Sequence, residues 1–375
     1  MAQIRIVDAD GHIFEDNAEI GKRMPKVFRD WKYAHGLFTS QPWFPPLGHL
    51  HTPTGKNPEG AFGGGEHVGV EHWLEFIDKT GIESAVLFPS GGLTYGHITS
   101  ADYAISVTRA YNDWLAEEYV ERSSVFKGMG LIPMQEPDAA VEELKRCIAE
   151  LNMTGIMLAG TGLKGHLGSK EFWPIYAEAE RLSCPLAVHA GNHIGFGMDD
   201  MNVFAPAHAI GHPLAMMIAL GGLVFNGVFD KFPTLRFGFL EGGVAWLLFC
   251  IERFDSSHEN FKPLSWRDDL LVLPKGQSIK DYILGLIDRG QIFVGCEGDE
   301  FMLGAGIKAV GNAPFMFSSD FPHEVNTEKC LHHLEEIFEH EELSDDDRKA
   351  ILYANADRFY TVQPGGAAQV AAEVA

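Results

Sequence analysis

Asp10 and His12 stand two residues apart near the start of the chain, after an apolar stretch that begins at Ile4. That stretch is rich in β-branched residues, which favour strands. Residues i and i+2 of a strand point to the same face, so this carboxylate and this imidazole project side by side. Carboxylate oxygen and imidazole nitrogen are typical ligands of first-row metals. The alternative is that Asp10 caps a turn at Gly11 and that His12 is an ordinary loop residue.

Further carboxylates and imidazoles directly follow other apolar stretches of the sequence. These residues are His189, Glu241, Glu297 with Glu300 close behind, and Asp320 with His323 close behind. A buried charge at such a position is costly unless it is paired or binds a metal. We therefore expect a metal site whose ligands come from several strand ends.

Several of these residues also have simpler interpretations. Glu297 and Glu300 would suit the start of the next helix, because acidic side chains stabilise helix N-termini. His323 follows a proline and would then be a plain loop residue. Three histidines follow the fifth apolar stretch, and we expect at least one of them to face the pocket: His193, His208 and His212.

Eight short apolar runs recur along the chain, with helical patterns between them. The runs are Ile4–Asp10, Ile82–Pro89, Phe126–Met134, Gly155–Gly160, Pro185–Ala190, Leu235–Glu241, Ile292–Glu297 and Phe315–Asp320. Strands that alternate with helices indicate a parallel α/β sheet, and eight such units favour a closed (β/α)8 TIM barrel over an open sheet. Barrel enzymes build their active sites at the C-terminal ends of the strands, where the candidate ligands stand.

A long insertion, residues 14–70, follows the first strand and is rich in glycine, proline, histidine and aromatic residues. We predict that it forms a lid or pocket wall over the barrel mouth, with Trp43 and Phe44 in contact with substrate. The alternative is an arm packed on a neighbouring subunit, and the length of this arm favours a homodimer. Residues 1–362 are predicted to form a single domain, and residues 363–375 a flexible tail.

Composition restricts the possible partners. The chain has 375 residues, 46% of them hydrophobic, and a net charge of −23. Nucleic acids and anionic membranes bind clustered lysine and arginine, so we expect neither as a partner. No apolar run looks long enough to span a bilayer, and no signal peptide is visible. The five scattered cysteines predict reduced core residues in a cytoplasmic protein.

Four segments together carry a resemblance to a known family. They are Asp8-Ala9-Asp10-Gly11-His12, His189, the segment Phe232-Pro233-Thr234-Leu235-Arg236-Phe237 leading to Glu241-Gly242-Gly243, and Ser319-Asp320-Phe321-Pro322-His323. This pattern resembles the amidohydrolase superfamily, specifically the group that includes aminocarboxymuconate-semialdehyde decarboxylase and the resorcylate-type decarboxylases. The resemblance implies a metal-dependent barrel whose metal is held by Asp10, His12, His189 and Asp320.

The departures from that pattern concern strand six. The family's strand six usually ends in a histidine, and here Glu241 takes its place. The decarboxylases also carry a glutamate a few residues later, where this chain has Val244, so their His–Glu pair is not intact. Glu241, Glu297 and Glu300 make the mouth rich in carboxylates, which favours iron or manganese over zinc. Enough ligands stand here for two ions: Asp10, His12, His189 and Asp320 would surround one, and Glu241 or Glu297 and Glu300 would share the second. A small branch of the superfamily that contains a nonheme diiron monooxygenase resembles this description.

We expect hydrolysis of a small, largely hydrophobic amide, ester or lactone, because hydrolysis is the commonest chemistry that such a resemblance implies. A bound metal lowers the pKa of water and polarises the carbonyl group. Asp320 would act as general base, and His208 or His212 would assist the leaving group. His193 and His323 would contact the substrate. The alternatives are a diiron oxygenase, a nonoxidative decarboxylase, and a barrel that only binds a ligand.

Overall fold

Eight parallel strands form one sheet, paired in chain order from first to last. The computed structural model describes residues 4–38, 41–46, 68–191, 193–261 and 270–361. The strands are β1 Val7–Ile13, β2 Ser84–Pro89, β3 Phe126–Leu131, β4 Gly155–Ala159, β5 Leu186–His189, β6 Phe237–Phe239, β7 Ile292–Cys296 and β8 Phe315–Phe317. All eight fall within the predicted apolar runs or overlap them.

The backbone that follows β8 lies against β1 and closes the barrel. The amide of Asp320 donates to the carbonyl of Asp10 at 3.0 Å, and the amide of His12 donates to the carbonyl of Phe321 at 2.6 Å. The predicted (β/α)8 barrel is therefore confirmed. These two hydrogen bonds also join the segments that carry Asp10, His12 and Asp320, so closing the barrel and assembling the site depend on the same contacts.

Fourteen helices are assigned among the described residues, and most of them surround the sheet. They are α1 Asn17–Arg23, α2 Lys26–Ala34, α3 Val70–Thr80, α4 Ala101–Leu115, α5 Pro137–Ala149, α6 Trp173–Arg181, α7 Phe204–Phe225, α8 Val228–Lys231, α9 Ala245–Asn260, α10 Ile279–Asp288, α11 Leu303–Val310, α12 Thr327–Glu339, α13 Asp345–Lys349 and α14 Asn355–Tyr360. Short 3-10 helices cover Gly91–His97 and Lys170–Phe172, and π-helical turns cover Ala116–Val120 and Ala350–Ala354. The five cysteines are buried and unpaired, as predicted.

Strand β1 differs from its prediction, because it continues through the two candidate ligands. Asp10 and His12 lie inside the strand, whose register against β2 shifts between Asp8 and Gly11. A Cβ atom on Gly11 would lie 2.4 Å from the Trp73 ring, so only glycine allows that ring to pack here. The alternative of a turn capped by Asp10 is therefore not formed.

Helix α7 is 22 residues long, with a mean hydropathy of 1.5 over its most apolar window. By length and composition alone it is able to cross a membrane, so the expectation that no segment reaches that length was wrong. Its residues Ala215, Leu220 and Leu223 are buried in the core, and the helix packs against β5 and α9 as part of the outer ring. We interpret it as a helix of the barrel.

The insertion is described only in part. Helices α1 and α2 lie within it, and α1 packs against α4 at the side of the barrel. The predicted lid also includes residues 47–67, which lie outside the described residues, as does the predicted tail, residues 363–375. Phe14, at the start of the insertion, lines the cavity above the site described below.

Candidate metal centre and active site

Four side chains from strands β1 and β5 and from the loop after β6 converge at the C-terminal mouth of the barrel. Asp10, His12, His189 and Glu241 each offer a ligand atom, and these atoms lie within 4.8 Å of one another. His12 Nε2 lies 3.0 Å from Glu241 Oε1 and 3.6 Å from Asp10 Oδ1. His189 Nε2 lies 3.6 Å from both Asp10 Oδ2 and Glu241 Oε1. These distances suit ligands arranged around a single ion.

The backbone fixes the orientation of both imidazoles. His12 Nδ1 donates to the carbonyl of Pro89 at 3.0 Å, and His189 Nδ1 donates to the carbonyl of Ala190 at 2.7 Å. Each ring therefore presents Nε2 to the cluster. Histidines that bind metals commonly donate their second N–H to a carbonyl or carboxylate in this way, which sets the tautomer and the ring orientation.

Four buried ligand atoms have no hydrogen-bond partner among the described residues. These atoms are both carboxylate oxygens of Asp10, Nε2 of His12 and Nε2 of His189. Buried polar atoms without partners are costly and rare. A divalent cation would satisfy all of them at once, and oxygen with imidazole nitrogen is a suitable donor set for one. The residues present therefore fit a metal ion.

The close contacts between imidazoles and carboxylates shift the pKa values of His189 and Glu241. Burial lowers the pKa of His189, but the carboxylates of Glu241 and Asp10 outweigh burial and raise this pKa to about 9. Burial raises the pKa of Glu241, but His189 and His212 outweigh it and hold this pKa well below its usual value. Glu241 is thus an ionised carboxylate among imidazoles, as a metal ligand must be.

Asp320, which the resemblance implies as a metal ligand, does not belong to the group formed by Asp10, His12, His189 and Glu241. It offers an atom to an overlapping group with His12, Glu241 and His323, whose atoms also lie within 4.8 Å of one another. Asp320 Oδ1 lies 3.5 Å from His12 Nε2 and 3.0 Å from His323 Nδ1, while His323 Nε2 lies 2.8 Å from the hydroxyl oxygen of Ser90. His323 also stacks on the His12 ring at 4.0 Å. Burial raises the pKa of Asp320, although the adjacent His323 opposes that shift.

Strain in the backbone marks the two carboxylates that follow β6 and β8. Glu241 and Asp320 both have φ of 55°, in the left-handed region that residues other than glycine rarely adopt. Such conformations cost free energy and cluster at functional sites, where the surrounding structure holds them in place. Here they direct both carboxylates into the mouth.

Asp8 holds β1 to the loop after β8, a role that sequence analysis missed. Its carboxylate is fully buried and accepts hydrogen bonds from the amide and hydroxyl of Ser319, at 2.9 and 2.6 Å, and from the amide of Asp10 at 3.2 Å. Burial raises the pKa of Asp8 to about 6. The only signal in the sequence is a third ionisable residue at the same i, i+2 spacing as Asp10 and His12.

A small cavity of about 210 Å³ opens above the cluster. The residues that line it are Phe14, Ser90, Gly91, Leu93, Gly191, His193, Phe204, His208, His212, Glu241, His323 and Glu324. The structure therefore brings His193, His208, His212 and His323 to the pocket. His212 Nδ1 lies 3.0 Å from Glu241 Oε2, and its ring makes edge contacts with His193 and His208.

The glutamates predicted to share a second ion, Glu241 or Glu297 with Glu300, are not grouped together in the described part of the chain. Glu300 accepts backbone hydrogen bonds from Val244 at 2.6 Å and Glu297 at 2.9 Å, so its two oxygens join the loop after β7 to the start of α9. Glu297 instead lies near His333, with 3.8 Å between Oε2 and Nδ1, and Asp299 completes this separate group. The predicted role of Glu300 as a metal ligand is therefore replaced by a positioning role.

Trp43 and Phe44 do not line the cavity above the metal cluster. The Trp43 indole donates to the carbonyl of Asn17 at 2.8 Å, and Phe44 packs edge-on against Tyr111 of α4. Both residues line a separate cavity beside α2 and α4. Their predicted contact with substrate is thus not formed in this structure, because the described part of the insertion packs on the side of the barrel.

The barrel and the His–carboxylate cluster at its mouth define a metal-dependent enzyme of the amidohydrolase fold. The amidohydrolase family pattern matches residues 7–362, and the chain belongs to that family. It is 29% identical over 315 residues to gamma-resorcylate decarboxylase of Rhodococcus jostii, covering 76% of this chain and 86% of that relative. It is 26% identical over 272 residues to 2-amino-3-carboxymuconate-6-semialdehyde decarboxylase of Dictyostelium discoideum, covering 72% and 70%.

A solved structure gives the same fold. The 5-carboxyvanillate decarboxylase of Novosphingobium aromaticivorans, with bound manganese and 3-methoxy-4-hydroxy-5-nitrobenzoic acid, superimposes with a TM-score of 0.67 at 18% identity. The match covers 95% of this chain and 97% of that one.

The expected hydrolysis was wrong, because these relatives cleave a carbon–carbon bond. The resorcylate and aminocarboxymuconate relatives are decarboxylases, and the alternative of decarboxylation agrees with them. Ligand types do not separate the two reactions. Both need a Lewis acid that holds a substrate oxygen, so a cluster of histidine and carboxylate ligands serves either.

Proposed function

We propose that this protein is a manganese-dependent, nonoxidative decarboxylase of an aromatic carboxylic acid that carries a hydroxyl group next to the carboxylate. The observation that carries the proposal is the set of unpartnered ligand atoms on Asp10, His12 and His189, directly below a small cavity. Phe14 and Phe204 line this cavity and offer apolar surface to a flat ring. The named activities of the relatives support the same reaction.

Asp10, His12, His189 and Glu241 would hold the ion. Two carboxylates with two imidazoles suit manganese, the ion bound in the structural neighbour from Novosphingobium. When bound, the ion supplies positive charge that orients the substrate's carboxylate and hydroxyl oxygens and stabilises negative charge on them. His212 keeps Glu241 in place through the 3.0 Å contact with Oε2.

Asp320 would supply the proton that the reaction needs. Loss of carbon dioxide breaks the bond between ring and carboxylate and leaves its electron pair on the ring carbon. A proton from the Asp320 carboxyl group forms the new C–H bond, so the atoms and charges balance. Burial raises the pKa of Asp320, which favours the protonated form. His323, 3.0 Å away and in contact with Ser90, returns a proton to Asp320 after each cycle.

The test is release of carbon dioxide from 2,6-dihydroxybenzoate by the manganese-loaded protein. Asp320→Asn should retain the metal and lose decarboxylation by at least about 100-fold, the usual contribution of general acid–base catalysis. Asp346→Asn is the matched control, because Asp346 is exposed on α13, away from the site. Equal activity of Asp320→Asn and the wild type would exclude Asp320 as the proton donor.

A further inference from the structure

A second cavity adjoins the first and shares three of its lining residues. It has a volume of about 590 Å³ and lies between α7, α9 and the loop from β7 to α11. His208, His212 and Glu241 line both cavities, so we call the cavity above the metal cluster the inner chamber and this one the outer chamber. The proposed reaction uses the inner chamber and leaves the outer chamber without a role.

The two chambers differ in volume, and their volumes limit the size of the substrate that each one can hold. Pockets for small molecules usually measure about 300–1,000 Å³. The inner chamber, at about 210 Å³, falls below that range and suits a single ring. The outer chamber falls within it. A substrate that fills both chambers is therefore considerably larger than a dihydroxybenzoate.

Apolar side chains from two helices form one wall of the outer chamber. Met217 comes from α7, while Trp246 and Phe249 come from α9. Phe301 lies at the rim with 93% of its surface exposed, and Phe249 is 55% exposed. Large exposed aromatic side chains that border a cavity indicate a binding surface, because soluble proteins rarely group them without a partner.

Trp246 adds one specific polar contact to this apolar wall. The residue is only 3% exposed, and its buried indole Nε1 has no hydrogen-bond partner in the part of the chain that the structure describes. Buried tryptophan N–H groups usually find an acceptor. A Cβ atom on Gly242 would lie 2.8 Å from this nitrogen, so glycine at 242 provides the space that the indole occupies. The wall thus offers one N–H donor within an apolar surface.

Carboxyl groups also line the outer chamber, and they differ in charge. Glu241 is ionised, and contact with His333 lowers the pKa of Asp299. Glu300 is tied to backbone amides, and burial raises its pKa to about 7. Burial, with repulsion from Asp320 and other nearby carboxylates, raises the pKa of Glu297 to about 8. A chamber with one apolar wall and carboxylates such as Glu241 and Asp299 opposite accommodates an uncharged group better than an anionic one.

We propose that the substrate carries, beyond the acid-bearing ring, a second and largely apolar group with an oxygen atom that accepts a hydrogen bond from Trp246. The ring occupies the inner chamber, and the second group passes Glu241 and His212 into the outer chamber. This inference rests on the proposed decarboxylase function and specifies its substrate class.

The test measures binding to the manganese-loaded protein by calorimetry. The probes are 2-hydroxybenzoate, and 2-hydroxybenzoates with a phenyl or a 4-methoxyphenyl group at each free ring position in turn. At least one phenyl probe should bind about 30-fold more tightly than 2-hydroxybenzoate, as expected for burial of a second ring. The corresponding methoxyphenyl probe should gain roughly a further 5-fold from its oxygen.

Two variants separate the contributions. Trp246→Phe should remove the gain from the methoxy oxygen and keep the gain from the phenyl ring, and Met217→Trp should fill the chamber and remove both gains. Trp173→Phe is the matched control, because Trp173 lies on α6 and its buried indole Nε1 also has no hydrogen-bond partner among the described residues. Tight binding of 2-hydroxybenzoate with no gain from any substituent would overturn the inference alone. Failure of every acid to bind would overturn the proposed function as well.

Discussion

One carboxylate oxygen of Glu241 lies 3.0 Å from Nε2 of His12. In the decarboxylases that this chain resembles, the sixth strand usually ends in a histidine at this position. The substitution keeps a metal-binding group at the same place and changes its charge. The other oxygen of Glu241 contacts His212 at 3.0 Å, so the loop after β6 and helix α7 together form a pair of histidine and glutamate. The loss of the family's own pair is therefore compatible with decarboxylation.

If Glu241 is a metal ligand, Glu241→Gln should weaken manganese binding by roughly 100-fold, because loss of even indirect support for a metal ligand costs 10–100-fold. Titration of the metal-free protein with manganese, followed by calorimetry, measures this change. Glu341→Gln, an exposed residue after α12, is the control. An unchanged affinity in Glu241→Gln would remove Glu241 from the ligand set.

Asp8→Asn should destabilise the fold and disturb the site together. Its carboxylate accepts three hydrogen bonds that join β1 to Ser319, and an amide cannot accept all of them. We expect a loss of about 2 kcal/mol in the free energy of unfolding, measured by urea denaturation. Asp78→Asn, an exposed site on α3, should leave stability within about 0.5 kcal/mol. Equal stability of Asp8→Asn and the wild type would contradict the positioning role.

Manganese binding should strengthen as the pH rises from about 6 towards 9. In the metal-free protein the neighbouring carboxylates raise the pKa of His189 to about 9, so below that pH the metal must displace a proton from this imidazole. One released proton changes the observed affinity about tenfold per pH unit. Calorimetry at pH 6, 7 and 8 measures the slope. A flat profile would mean that His189 does not ligate the ion.

Glu297→Ala should leave the metal content unchanged at one manganese ion per chain, because Glu297 lies with Asp299 and His333, apart from the Asp10 cluster. Elemental analysis of the wild type and the variant measures this. Two ions in the wild type and one in the variant would restore the arrangement with a second ion that the sequence suggested.

The barrel was predictable from the sequence because each strand is indicated by the residues within it and not by contacts with distant segments. Each strand is a short apolar run, and the ligands Asp10, His12 and His189 end or occupy such runs. The helical pattern between the fifth and sixth apolar runs predicts a helix where α7 lies, but it does not predict the 22 residues that α7 contains. Helix α7 continues through Gly221 and Gly222, and Gly222 packs against the backbone at Gly168. The sequence does not reveal this contact.

The parts of the site that escaped prediction depend on contacts between distant segments. Asp8 and Ser319 are 311 residues apart, and only closure of the barrel brings them together. Glu300 was predicted to be a metal ligand because it is a carboxylate that closely follows the seventh apolar run. Its oxygens are used by backbone amides, which depends on loop geometry. Trp43 and Phe44 were misplaced because no periodicity in an insertion shows which surface it packs against.

The most direct test of the central claim is release of labelled carbon dioxide under anaerobic conditions. Manganese-loaded protein would be incubated with 2-hydroxybenzoates labelled with ¹³C at the carboxyl carbon, both the parent acid and its 4-methoxyphenyl derivatives. We predict equal amounts of ¹³CO₂ and of the corresponding phenol, without oxygen, and loss of both in Asp320→Asn. Binding of these acids at the metal-loaded site without any release of ¹³CO₂ would contradict the proposed decarboxylation.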